Sequence, residues 1–347
     1  MSQGITVYFI ADLLPLIILS VFFSLLPFIT LPQIQFGVRI GSDLGCSNII
    51  KALKYEYSLI EIVGISSIVI FLTYILGPSI FVELFGILLF LPFSFSLYGI
   101  FRVRVGKIKK TSEITKENDV ATAVILQEPV RVQKWLAIIP WLVISVPFMA
   151  DLADISQFRS IFSYPAFFQP LWVIIFLTIT MEGIAFLILG VSPFQNSESP
   201  VKNALQMSKF NKLNFYLLIL LSSVININII LSNYFLSGIN MGAYIYADLL
   251  LPSFLLLVIL GIGTRYGQVG WKLFPQARES MQSKGSRDDD KLWMFGVFYY
   301  NRNDSSILVP KRFGFGYTLN FGNLISLLII FSILFGTGFL LLFISRI

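Results

Sequence analysis

Five acidic residues, Asp12, Glu61, Glu83, Glu182 and Asp248, stand inside long apolar runs that contain no Lys or Arg. A carboxylate in hydrocarbon costs roughly 2.5–3.5 kcal/mol even on the mild insertion scale, so each needs a proton, a cation, water or a hydrogen-bond donor. Two of them share a local pattern. One run reads Tyr8-Phe-Ile-Ala11-Asp12-Leu-Leu-Pro15 and another Tyr244-Ile-Tyr-Ala247-Asp248-Leu-Leu-Leu-Pro252. A helical proline frees the carbonyl four residues earlier, which is that of Ala11 in the first run and of Asp248 itself in the second. A carboxylate beside a freed carbonyl is an oxygen cluster suited to a proton or a small hard cation. Asp12, Asp248, Glu83 and Glu182 are therefore the ion-binding or proton-relay candidates, with Asn226, Asn228 and Asn233 as further polar groups. The competing reading is that protonated acids and amides hold helices together by hydrogen bonds.

Basic residues make a second candidate set. Arg39 and the pair Lys311-Arg312, beside Phe313-Gly314-Phe315-Gly316, lie in two loops expected on the same membrane face. Guanidinium and ammonium groups hold phosphate or carboxylate, so a lipid headgroup or another anionic ligand is one role. Anchoring of the last helix at the interface is the other. Gly314-x-Gly316 is too short to read as a nucleotide loop.

Much chemistry is excluded. The chain has no His and a single Cys, Cys46, so disulfides, Ser-His or Cys-His nucleophiles and most zinc or haem sites cannot be assembled. No metal, no cofactor and no enzymatic activity are expected, and a lipid-modifying enzyme using carboxylates alone ranks third among the readings.

The elements that position these groups are membrane helices. Of 347 residues 56% are hydrophobic and only 13% charged, about half the usual charged fraction of a soluble domain. Apolar windows long enough to cross a core of about 30 Å fall near residues 5–30, 58–77, 79–101, 135–150, 171–191, 215–237, 243–263 and 323–345. The predicted fold is an all-α polytopic membrane protein of about eight spans. With alternate loops cytoplasmic from residues 31–57 onward, all 25 Lys and Arg except Arg159 and Arg346 fall on that side. The bias places both termini outside, in a multi-pass plasma-membrane protein. No leader is read at the N-terminus.

The net charge of +6 thus has a topological origin and does not imply nucleic acid. The partners expected are the lipid bilayer and a protein partner or a second copy. The chain divides into a three-helix unit (1–101), a basic loop (102–134), the central and later helices (135–263), a motif segment (264–322) and the last span (323–347). The run Arg102, Arg104, Lys107, Lys109 and Lys110 is expected against anionic headgroups. Val297–Tyr300 and Ile307–Val309, separated by the turn-forming Asn301–Asp304, read as a small cytoplasmic β-hairpin before the last helix.

Two motifs then carry a resemblance. The stretch Trp293-x-x-Gly296-x-Phe298-Tyr299-Tyr300-Asn301-x-x-Asp304, followed by Val309-Pro310-Lys311-Arg312-Phe313-Gly314-x-Gly316-x-Thr318-x-Asn320-Phe321, resembles a C-terminal domain of unknown function in polytopic membrane proteins of bacteria and archaea. Phe36-Gly37-Val38-Arg39-Ile40 is similar to the accompanying N-terminal domain, also present in SdpI-type immunity membrane proteins, whose Pro-Thr-His-Phe-like loop is replaced here by Phe-Gly-Val-Arg. Gly267-Gln268-x-Gly270 is similar to a third pattern of the same proteins. The resemblance implies architecture more than activity.

The expected function is transporter- or channel-like, with an outward-facing acidic cavity binding a proton or small cation. The alternative is a membrane sensor, an immunity-type partner or a subunit of a membrane complex.

Overall fold

A computed structural model describes residues 2–40, 42–77, 80–111, 131–153, 165–191, 200–231, 241–272, 289–314 and 316–345. Its helices follow the apolar runs: α1 (Ser2–Ile29), the short α2 (Ser42–Gly45), α3 (Asn48–Leu76), α4 (Ile80–Thr111), α5 (Ile139–Ala153), α6 (Pro165–Leu189), α7 (Pro200–Ile230), α8 (Met241–Tyr266) and α9 (Leu324–Ser345). Local signals set several ends. Ser47 caps α3 by accepting from the Ile50 amide at 3.4 Å, and Gly77, at φ 67°, ends it. Pro165 and Pro200 open α6 and α7, where a missing N–H costs nothing.

Five helices are long and apolar enough to cross a membrane among the described residues: Asn48–Leu76, Phe85–Lys110, Leu171–Leu189, Ala204–Ile230 and Ser253–Gly270. Shorter apolar stretches occupy Leu16–Ile29, Lys134–Val146 and Leu324–Phe339. Their outer faces carry large apolar side chains such as Leu59, Ile70, Phe71, Leu88 and Phe335, which water alone would not favour.

Two groups of helices are joined by a third element. α1, α3 and α4 pack together, as do α5, α6 and α7, and α8 lies against both α1 and α7. α9 packs on α6, where a methyl group on Gly336 would sit 2.4 Å from the Phe176 ring. Polar bridges fix the contacts. Ser58 donates to the Ser24 carbonyl at 2.6 Å, and Asn226 donates to Thr178 Oγ1 at 2.8 Å and to the Pro140 carbonyl at 3.4 Å. Asn226 thus ties α7 to α6 and α5, the bridging role rather than a solvent-lining one; Asn233 lies outside the described residues.

Among the described residues the connecting segments build three antiparallel strand pairs: β1 (Ile34–Gln35) with β2 (Val38–Arg39), β3 (Trp293–Met294) with β4 (Phe298–Tyr299), and β5 (Leu308–Pro310) with β6 (Tyr317–Leu319). This corrects the single hairpin expected from the sequence. Phe298–Tyr299 pairs back onto Trp293–Met294, and Leu308–Pro310 pairs forward onto Tyr317–Leu319. The reason is a turn at Phe295-Gly296, with φ values of 53° and 73°, which reverses the chain before Asn301–Asp304 is reached. Those residues instead form a loop folded around Asn320. Its Oδ1 accepts from the Asn301 and Gly322 amides, each at 3.0 Å, and its Nδ2 donates to the Asn301 and Asp304 carbonyls, each at 2.9 Å.

Candidate functional site

Among the described residues the chain turns sharply three times on the same two-residue plan. Phe36-Gly37, Val269-Gly270 and Phe295-Gly296 each place an apolar residue at φ 47–55° before a glycine at φ 72–73°. Left-handed backbone at both central positions is the type I′ turn that matches strand twist, and it costs a bulky L-residue roughly 1–2 kcal/mol. Glycine at the second position is obligatory here for a further reason. A methyl on Gly37 would lie 2.5 Å from the Tyr98 hydroxyl and 2.8 Å from the Gly296 Cα, and one on Gly296 only 1.8 Å from Arg102 Nη1.

The turns meet at one end of the bundle. Two side chains from the last part of α4 clamp the first and third: Arg102 Nη1 donates to the Gly37 carbonyl at 3.1 Å, and the Tyr98 hydroxyl to the Phe295 carbonyl at 3.2 Å. Phe36 is fully buried, stacked on Phe313 at 5.8 Å and against Phe101 at 5.4 Å. The second turn grips the end of α1. Gln268 Oε1 accepts from the Leu31 amide at 3.1 Å, and Trp271 Nε1 donates at 2.9 Å to the Ile29 carbonyl, which the end of α1 leaves open. Gln206 of α7 donates to the Val269 carbonyl at 3.0 Å, and the Gly314 amide to Thr30 Oγ1 at 3.2 Å.

The basic candidates fall within this knot and are used unequally. Arg312 is 2% exposed, bonded through Nη1 to Asp290 and held over the Trp293 ring at 5.2 Å. Lys109 reaches the other oxygen of Asp290, so one carboxylate answers two cations. Burial disfavours the Asp290 charge, yet the bonds from Lys109 and Arg312 outweigh it and hold the carboxyl below its ordinary range. Lys311 is half-buried, and burial lowers the affinity of its amine for a proton. Arg39, in β2 opposite Ile34, is half-buried as well. The Phe36–Phe313 stack therefore joins the two loops that carry Arg39 and Lys311-Arg312, but Arg312 serves Asp290.

Three of the basic residues in the last turns of α4 are paired within the protein. Arg102 holds Gly37, Lys109 holds Asp290, and Arg104 pairs with Glu56 at 2.6 Å while lying over Phe101 at 5.0 Å.

Among the acidic candidates the structure describes the side chain of Glu182 alone; for Asp12, Glu83 and Asp248 it describes the backbone, and their side chains lie outside the described residues. Glu182 of α6 accepts from Trp141 Nε1 at 3.0 Å through one oxygen, and its other oxygen is buried with no hydrogen-bond partner among the described residues. Glu61 of α3 repeats the arrangement. It is fully buried, accepts from the Ser94 hydroxyl of α4, and keeps Oε2 without a hydrogen-bond partner among the described residues; one turn earlier the buried Tyr57 hydroxyl is also without one. Its partner Ser94 sits on another helix and left no signal in the sequence.

α1 and α8 pack directly on each other, with their C-terminal ends tied through Ile29–Trp271 and Leu31–Gln268. They run parallel. Asp12 stands 17 residues before the end of α1 and Asp248 18 residues before the end of α8, about 26 and 27 Å along the helices. The two Ala-Asp-Leu-Leu segments therefore occupy matching depths on neighbouring helices.

Comparison with known proteins yields a family match over residues 302–327, to a family of unknown function, DUF5808. No curated protein and no solved structure matches the chain. The matched stretch contains Asp304, both strands of the β5–β6 pair, Arg312 and Asn320, and runs into the first turn of α9.

Proposed function

We propose that this chain is a transporter- or channel-like membrane protein that moves a proton or a small cation through acidic residues set inside its spans. The observation that carries the reading is the half-satisfied carboxyl. Glu182 and Glu61 each keep one oxygen on a single donor and one buried oxygen with no hydrogen-bond partner among the described residues, which is where a proton or cation is accommodated. The matching depth of Asp12 and Asp248 on the parallel helices α1 and α8 supports a shared site, with Glu83 and Glu182 as further lining.

In this reading the three shorter apolar helices also cross, giving eight spans in the plasma membrane with both termini outside and the turn knot on the cytoplasmic face. The lysine and arginine distribution supports that orientation. The Phe36–Ile40 motif, inside the knot, supports kinship with the SdpI-like N-terminal domain.

The test is flux in proteoliposomes. Asp12→Asn and Asp248→Asn should each abolish proton or cation uptake while leaving expression and thermal stability intact. Wild-type rates from both variants would sink the proposal and turn attention to a sensor or subunit role.

A further inference from the structure

The β3–β4 hairpin has two unlike faces. Trp293 and Tyr299, cross-strand partners with rings 5.0 Å apart, are buried, whereas the next pair, Met294 and Phe298, is exposed together with the tip residue Phe295, 72% exposed. Alternation along a strand explains the division, but not why the outward face is Met and Phe.

That face is continuous with another. Phe298 packs edge-on against Phe321 at 5.5 Å, and Phe321 leads through a turn into α9. There Leu324, Leu328, Phe331, Phe335, Phe339 and Leu342 are all strongly exposed at helical spacing, one uninterrupted apolar stripe. The hairpin tip is also fixed in depth. Its Phe295 carbonyl is bonded to Tyr98, and Tyr98 precedes Arg102, where the charges at that end of α4 begin, by one turn or about 6 Å. The tip thus stands where a membrane span passes from apolar to charged, the level at which aromatic side chains settle. Two cations flank it: Lys291 and Arg302 are exposed, with Arg302 over the Tyr300 ring at 5.9 Å.

We propose that the β3–β4 hairpin is a membrane-interface anchor, with Met294, Phe295 and Phe298 embedded at the headgroup–acyl boundary of the phospholipid leaflet beside α9. The inference rests on the reading of the chain as a membrane protein. The occupant is lipid because the patch extends the α9 stripe without a break and carries cations, which suit phosphate, at its edge.

Spin-label accessibility in proteoliposomes tests it. The single cysteine, Cys46, is replaced by serine, and labels are placed one at a time through Phe295→Cys, Phe298→Cys, Phe331→Cys and Asn303→Cys. Position 298, in extended backbone, repeats the reading should a change at 295 disturb the turn. The expected result is stronger broadening by oxygen than by a water-soluble nickel chelate at 295, 298 and 331, with the order reversed at 303. Labels at 295 and 298 that resemble 303, while 331 still favours oxygen, overturn the anchor and leave the membrane reading standing. Labels at 295 and 298 shielded from both reagents overturn it in favour of a protein partner or a second copy. A nickel-accessible label at 331 overturns the membrane reading and the anchor together.

Discussion

Gly37 and Gly296, 259 positions apart in the chain, press backbone to backbone: a methyl on either would lie within 3 Å of the other's Cα. Arg102 and Tyr98 border the contact, bonded to Gly37 and Phe295 respectively. This contact joins the first connecting loop to the last and fixes both to α4.

Gly37→Ala and Gly296→Ala should each destabilise the protein by more than about 2 kcal/mol, since αL strain of 1–2 kcal/mol adds to steric overlap. Gly99→Ala, on the same helix as Tyr98 but with nothing within 4 Å of the added methyl, is the contrast. It should be neutral or stabilising by up to about 1 kcal/mol. Thermal unfolding in detergent checks the difference, and equal losses at 37, 296 and 99 would contradict the contact.

Asp290→Asn leaves Arg312 buried without its carboxylate and should cost about 3 kcal/mol at neutral pH, the low end for breaking a buried pair because Asp290 is about a third exposed. The sign of the pH dependence follows from a carboxyl held below its ordinary range. Its contribution is present above the unfolded carboxylate value of about 4 and is lost as pH falls through the folded value. Wild type and variant should therefore converge in acid, as followed by unfolding midpoints across pH.

Lys311 behaves in the opposite sense. Burial favours its neutral amine, so the folded state is penalised at neutral pH and the penalty disappears as pH rises from the lowered folded value past the unfolded one, about 10.4. Lys311→Met should raise the unfolding midpoint at pH 7 and lose that advantage in alkali.

Asn320→Ala removes four hydrogen bonds at once and should cost about 3 kcal/mol. Faster hydrogen exchange should be confined at first to residues 301–322, around the loop that Asn320 organises. Exchange unchanged there would contradict its role.

These residues show what the sequence reveals and what it hides. Helix placement was legible because an apolar run of about 20 residues has few other fates. The strand pairing was not, because the usual type I′ signals are Asn-Gly and Asp-Gly, whereas the two turns that join strands here use Phe-Gly; packing of Phe36 against Phe101 and Phe313 offsets the strain in the first, while Phe295 in the second is exposed. Arg312 looked like an anion ligand because Asp290, 22 positions earlier, gave no sign of folding onto it. Glu61 was visible as a costly residue, but Ser94 becomes its hydrogen-bond partner only once α3 packs on α4.

Transport through the spans requires their carboxyl groups to share one site. A density map of the protein in native lipid tests this most directly, by where Asp12, Glu83, Glu182 and Asp248 point. All four are expected to line a single water-filled cavity open to the outside. Four carboxyls in separate, dry helix contacts would contradict it.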